Sequence, residues 1–301
     1  MRRGAAWVGG WAMLALLLGT AREVRAQRDL DARQSDDWYA LHLTLLGVGV
    51  GGTVGTWLIG APLAPRLQSS LWFEAGTEQN FSLLSSRVSD VTLLGSVVAP
   101  VGVLGVSASA ERYENSLLIY GEVLSLQLWA NALTKLVVAR GRPYGVGSSS
   151  AARAYATEHP TDRVLSFYSG HASTSFAAAF AGGFLFSDGA ADPAAQAVFW
   201  GFETSLAAFT AHARVRAGMH YPSDVLFGAL VGTTFGVGLP LLHGVRPEID
   251  AGEWVALGAG LAVGAAAGWL LPTRISELVV TYRPQIQPVA GGALLQIGSQ
   301  L

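Results

Sequence analysis

The 301 residues include no cysteine, carry a net charge of −2 and are 13% charged against 51% hydrophobic, with a mean hydropathy of +0.39. Soluble domains hold roughly 25% charged residues, so the composition points to a membrane. The missing cysteines exclude disulfides, thiolate nucleophiles and Cys-ligated zinc, and the near-neutral charge gives no reason to expect a nucleic-acid partner.

Residues 1–26 read as an export signal: Arg2 and Arg3, an apolar run from Trp7 to Leu18, then Val24-Arg25-Ala26 as a cleavage pattern before Gln27. A polar linker covers 27–38. Apolar segments follow at about Tyr39–Ile59, Val91–Ala108, Leu117–Ala139, His171–Phe186, Ala195–Ala211, Asp224–Leu242 and Trp254–Leu271. Leu71, Trp72 and Phe73, set among polar residues, suggest an interfacial helix. A Gly- and Ser-rich loop spans Tyr144–Phe167, and the tail from Leu278 reads as a β-hairpin around Ala290-Gly291-Gly292. The fold expected is all-α, a polytopic membrane helical bundle with a core over 39–244, and an extra helix and hairpin tail over 245–301.

Polar residues are costly inside apolar segments, so the places where they gather are informative. Lys135 and Arg142 stand at K-x6-RP; both share one face if the helix holds through Arg142. Tyr168-Ser169-Gly170-His171 opens the fourth segment, where a helix N-terminus and a glycine favour an anion and Ser169 adds a donor. Arg214, His220 and Asp224 stand at R-x5-H-x3-D between the fifth and sixth segments. A helix starting near Tyr221, with Pro222 in its first turn, brings Asp224 under the His220 imidazole. Alternation of spans puts all three clusters at one mouth of the bundle. Cations, backbone donors, two histidines, one carboxylate and no thiol match phosphoryl transfer through a phosphohistidine, with no metal and no cofactor. His220, backed by Asp224, is the expected nucleophile and His171 the general acid. Glu122 and Glu203 are expected as buried hydrogen-bonding residues, while His42, His159, His212 and His243 match no partner pattern.

KLVVARGRP from Lys135, YSGH from Tyr168 and ARVRAGMHYPSD from Ala213 together resemble the three motifs of the type 2 phosphatidic acid phosphatase (PAP2) superfamily. The resemblance covers about Leu117 to Leu242 and implies a six-helix core. It implies phosphate binding by Lys135, Arg142, Ser169, Gly170 and Arg214, with His171, His220 and Asp224 catalytic. Tyr168 stands for the motif proline and Ala213 for the motif serine, so one possible hydrogen bond near the phosphate is missing. The activity implied is hydrolysis of a lipid phosphomonoester or pyrophosphate, of the phosphatidic acid, phosphatidylglycerol phosphate, undecaprenyl pyrophosphate or lipid A type. The rivals are a vanadium-dependent haloperoxidase-like enzyme and a catalytically weak lipid-phosphate-binding envelope protein. The expected partners are the lipid phosphate substrate and membrane lipids, with no oligomeric state assigned. The expected location is the inner membrane of a bacterial envelope. A cleaved signal with every later segment spanning would put the clusters on the cytoplasmic side, whereas resemblance to bacterial members implies a periplasmic site.

Overall fold

A computed structural model describes residues 36–60, 62, 64–67, 71–188, 192–271, 281–289 and 292–300. The export signal expected over 1–26 lies outside these residues. Eight α-helices occur among them: α1 (Asp36–Ile59), α2 (Leu83–Ser107), α3 (Ala110–Val138), α4 (Ser150–Glu158), α5 (Gly170–Ser187), α6 (Pro193–Arg216), α7 (Pro222–Leu242) and α8 (Ala251–Trp269). Two strands, β1 (Thr281–Val289) and β2 (Gly292–Gln300), pair antiparallel and close at Val289 opposite Gly292, as expected of the tail.

Local chemistry sets the helix ends. Ser82, Ser109, Ser149 and Ser169 cap α2, α3, α4 and α5 by accepting a backbone N–H two or three residues into the helix. Pro193 and Pro222 occupy first-turn positions, where the missing N–H costs nothing. Asp250 and Glu253 cap α8 reciprocally, each side chain accepting the other's backbone N–H at 2.8 Å.

Three expectations change. Helix α2 begins eight residues ahead of Val91, because Ser82 supplies a cap and the inward-facing Ser85 and Ser89 are buried in the bundle rather than exposed to lipid. The Tyr144–Phe167 loop holds the short helix α4, and the expected interfacial helix is a single 3-10 turn, Trp72–Glu74.

By length and composition, α1 from Trp38 onward, α2, α7 and α8 are long and apolar enough to cross a membrane, which marks an integral membrane protein. Helix α5 is buried on most sides, packed by α2, α3, α6 and α7. Helices α1, α3, α6 and α8 run one way, and α2, α5 and α7 the other. The direction is legible from contacts. Positions Gly49 and Gly52 of α1 face Ser125 and Trp129 of α3; Gly228 and Gly236 of α7 face Ser169 and Ala177 of α5; Gly260 and Gly268 of α8 face Gly201 and His212 of α6. Each pair is therefore parallel and meets through glycine. At Gly228 a β-carbon would sit 2.7 Å from the Ser169 carbonyl oxygen, so only glycine permits this approach.

Candidate active site

His220 lies in the turn between α6 and α7 and is almost completely buried. Its Nε2 is 3.2 Å from Arg142 Nη1, and its Nδ1 is 3.7 Å from Asp224 Oδ2. Burial, then the charges of Arg142, Arg214, Lys135 and His171, hold the imidazole well below its ordinary pKa of 6.5. The ring is thus neutral at physiological pH, with a nitrogen facing the cations.

Asp224 does sit beneath the ring, but beyond hydrogen-bond length, because other donors claim its oxygens. Arg140 Nη1 donates to Oδ1 at 2.5 Å; Ser166 Oγ and the Tyr221 N–H donate to Oδ2 at 2.5 and 2.9 Å. Arg140 also donates from Nη2 to Glu74 Oε2 at 2.7 Å, and its guanidinium lies 4.2 Å from the Tyr221 ring centre. Glu74 in turn accepts from the Ser223 N–H at 3.1 Å and from the Ser223 hydroxyl. Glu74 and Asp224 are fully buried and Arg140 nearly so.

Arg142 does not reach the site along a continuous helical face with Lys135. Helix α3 stops at Val138, and Ala139 adopts φ 46°, in the left-handed region. That turn sends Arg142 into a loop, where it donates to the Asp162 carbonyl and carboxylate at 2.9 and 2.7 Å and to the Met219 carbonyl at 3.1 Å. Burial opposes ionisation of Asp162, but Arg142, Lys135, the Tyr144 hydroxyl and His220 outweigh it and hold its carboxyl below the usual range. Lys135 is buried and has no ion-pair partner among the described residues.

His171 stands in the first turn of α5, its Nε2 2.7 Å from Asp90 Oδ1 of α2. Arg214, at the end of α6, is 3.5 Å from the same oxygen and donates to the Ser86 and Ser89 hydroxyls at 3.0 and 3.2 Å. The Ser169 N–H donates to the Asp224 carbonyl at 3.0 Å, tying the start of α5 to α7. A β-carbon at Gly170 would meet Asn131 Oδ1 at 2.9 Å, while Asn131 Nδ2 donates to the Tyr168 carbonyl at 2.9 Å.

All eight site residues expected from sequence, Lys135, Arg142, Ser169, Gly170, His171, Arg214, His220 and Asp224, thus lie at one end of the bundle. Sequence reasoning passed over Glu74, Asp90, Arg140, Asp162 and Ser166. Arg140 carried a signal, since it sits inside the K-x6-RP stretch; the carboxylates come from distant segments and carried none. His212 packs against Gly268 of α8 rather than into the site. Glu203 is buried with neither oxygen hydrogen-bonded, contrary to expectation. Tyr168, at the motif-proline position, is buried with its ring 5.8 Å from that of Phe227, and Ala213 is fully buried.

The arrangement can hold a tetrahedral oxyanion among three cations while presenting an imidazole nitrogen. No curated protein and no solved structure matches the chain. Residues 116–247, somewhat less than half of the chain, match the model of the PAP2 superfamily, which supports membership of that family and, at the coarse level, phosphatase chemistry.

Proposed function

We propose that the chain hydrolyses a lipid phosphomonoester or pyrophosphate through a phosphohistidine, without a metal in the reaction. The observation that carries this is the His220 environment: a neutral, buried ring with Nε2 beside Arg142 and Nδ1 over a fixed Asp224. In the proposed first step, Nε2 attacks phosphorus and the bond to the leaving oxygen breaks, with His171 giving that oxygen its proton. In the second, water attacks the phosphohistidine and returns a proton to His171, releasing inorganic phosphate and restoring His220. Lys135, Arg142, Arg214, Ser169 and the Gly170 amide hold the phosphoryl oxygens. Asp224 stabilises the positive ring in the intermediate, and Asp90 orients His171.

A lipid substrate is favoured by the surroundings of the mouth. Trp72 is 89% exposed on the turn whose Glu74 is locked to Arg140, which suits a ring lying at the headgroup level. The proposed location is a bacterial inner membrane with a periplasmic site. Phosphate release across a panel of lipid phosphates identifies the substrate. His220→Ala and His171→Ala should each lower turnover by about 10²–10⁴-fold or more without loss of fold. Acid quenching should trap phosphohistidine in the wild type and not in His220→Ala. Normal turnover in His220→Ala sinks the mechanism.

A further inference from the structure

At the opposite end of α7 from His220 lies a second cluster. His42 of α1, Glu122 of α3 and His243, which ends α7, bring their ligand atoms within 4.8 Å of one another. His42 Nδ1 meets Glu122 Oε1, and His243 Nε2 lies 2.7 Å from Oε2. His42 and Glu122 are fully buried, while the His243 side chain is 11% exposed and leaves a way in.

A buried carboxyl group that stays ionised needs compensating positive charge. Asp224 and Glu74 obtain theirs from Arg140, but among the described residues Glu122 pairs with no Arg or Lys. Protonating both imidazoles is a poor solution. Their rings stack with centroids 4.4 Å apart and 30° between planes, so cation would lie on cation. A divalent ion supplies two charges with both rings neutral. Two imidazole nitrogens and a carboxylate oxygen form a set that Zn²⁺ accepts with a fourth position open. Bonds of about 2.0–2.1 Å place tetrahedral ligands roughly 3.3 Å apart, inside the 4.8 Å that bounds the three ligand atoms here.

We infer that His42, Glu122 and His243 bind a divalent transition-metal ion of the zinc class, stapling the start of α1 to α3 and α7. Helix α1 lies outside the matched segment, and its buried positions, His42, Gly49 and Thr56, form one narrow stripe against α3. A metal at its first turns would pin an otherwise lightly held helix.

The test uses the full chain in detergent, stripped by a chelator and titrated with Co²⁺, read by visible absorption and by metal content after desalting. One Co²⁺ per chain with four-coordinate absorption, displaced by Zn²⁺, is expected. Glu122→Gln and His243→Ala should weaken binding by more than the roughly 10–100-fold that losing an outer-shell partner costs. His220→Ala should bind as the wild type does. Zn²⁺ should raise the unfolding temperature of the wild type and not of His243→Ala. Folded wild type that takes up no stoichiometric Co²⁺, binding lost in His220→Ala but kept in Glu122→Gln, or an equal Zn²⁺-induced rise in both proteins overturns the inference.

Discussion

Arg140 holds two fully buried carboxylates on one guanidinium, Glu74 with Nη2 and Asp224 with Nη1. Lysine is a point charge without this fork, so Arg140→Lys should leave one carboxylate unpaired. Arg140→Leu strands both, and breaking a buried pair costs about 3–5 kcal/mol. Thermal unfolding in detergent should rank wild type above Arg140→Lys above Arg140→Leu; equal unfolding temperatures would remove the clamp from the argument. His220 gives a second prediction at this scale. Its folded pKa is depressed below 6.5, so the unfolded chain binds more protons once pH falls below about 6.5. Stability should therefore fall from pH 6.5 down towards the folded pKa, and His220→Gln should flatten that slope. Imidazole NMR should find the wild-type ring neutral at pH 6.

Glycine governs how the elements meet. At Gly228 a side chain would strike the Ser169 backbone and push α7 from α5, separating Asp224 from the Ser169 N–H that binds its carbonyl. Overpacking of this kind costs about 1–3 kcal/mol, so Gly228→Val should lower both stability and turnover. Gly258 of α8 has nothing within 4 Å of a β-carbon, and Gly258→Ala should be neutral or stabilise by up to about 1 kcal/mol. Unfolding midpoints of the two variants check the contrast. The helices were legible in sequence because apolar runs ended by Pro, Gly and charge mark them. The start of α2 was not, because its first turns are polar and are satisfied inside the bundle by Arg214. The same holds for the site. Motif spacing gave the cations and histidines, whereas Glu74 and Asp90 reach it only through tertiary packing, which no local pattern encodes.

The whole molecule is a bundle with its chemistry divided between two ends. Motif residues, Glu74 and Asp90 meet where α3 and α6 finish and α5 and α7 begin; His42, Glu122 and His243 meet towards the other end. Helix α8 follows α6 in parallel, and Arg216 at the end of α6 donates to the Leu271 carbonyl at 2.8 and 2.6 Å. The chain therefore leaves α8 on the same face as His220. An epitope inserted after Leu271 should share a compartment with the His220 site. In sealed vesicles of one orientation, an antibody that reaches this epitope should coincide with turnover of a water-soluble, impermeant phosphate ester. The parallel pairing of the last helix thus turns the question of which side the enzyme serves into a choice between inside and outside, readable from a single insertion.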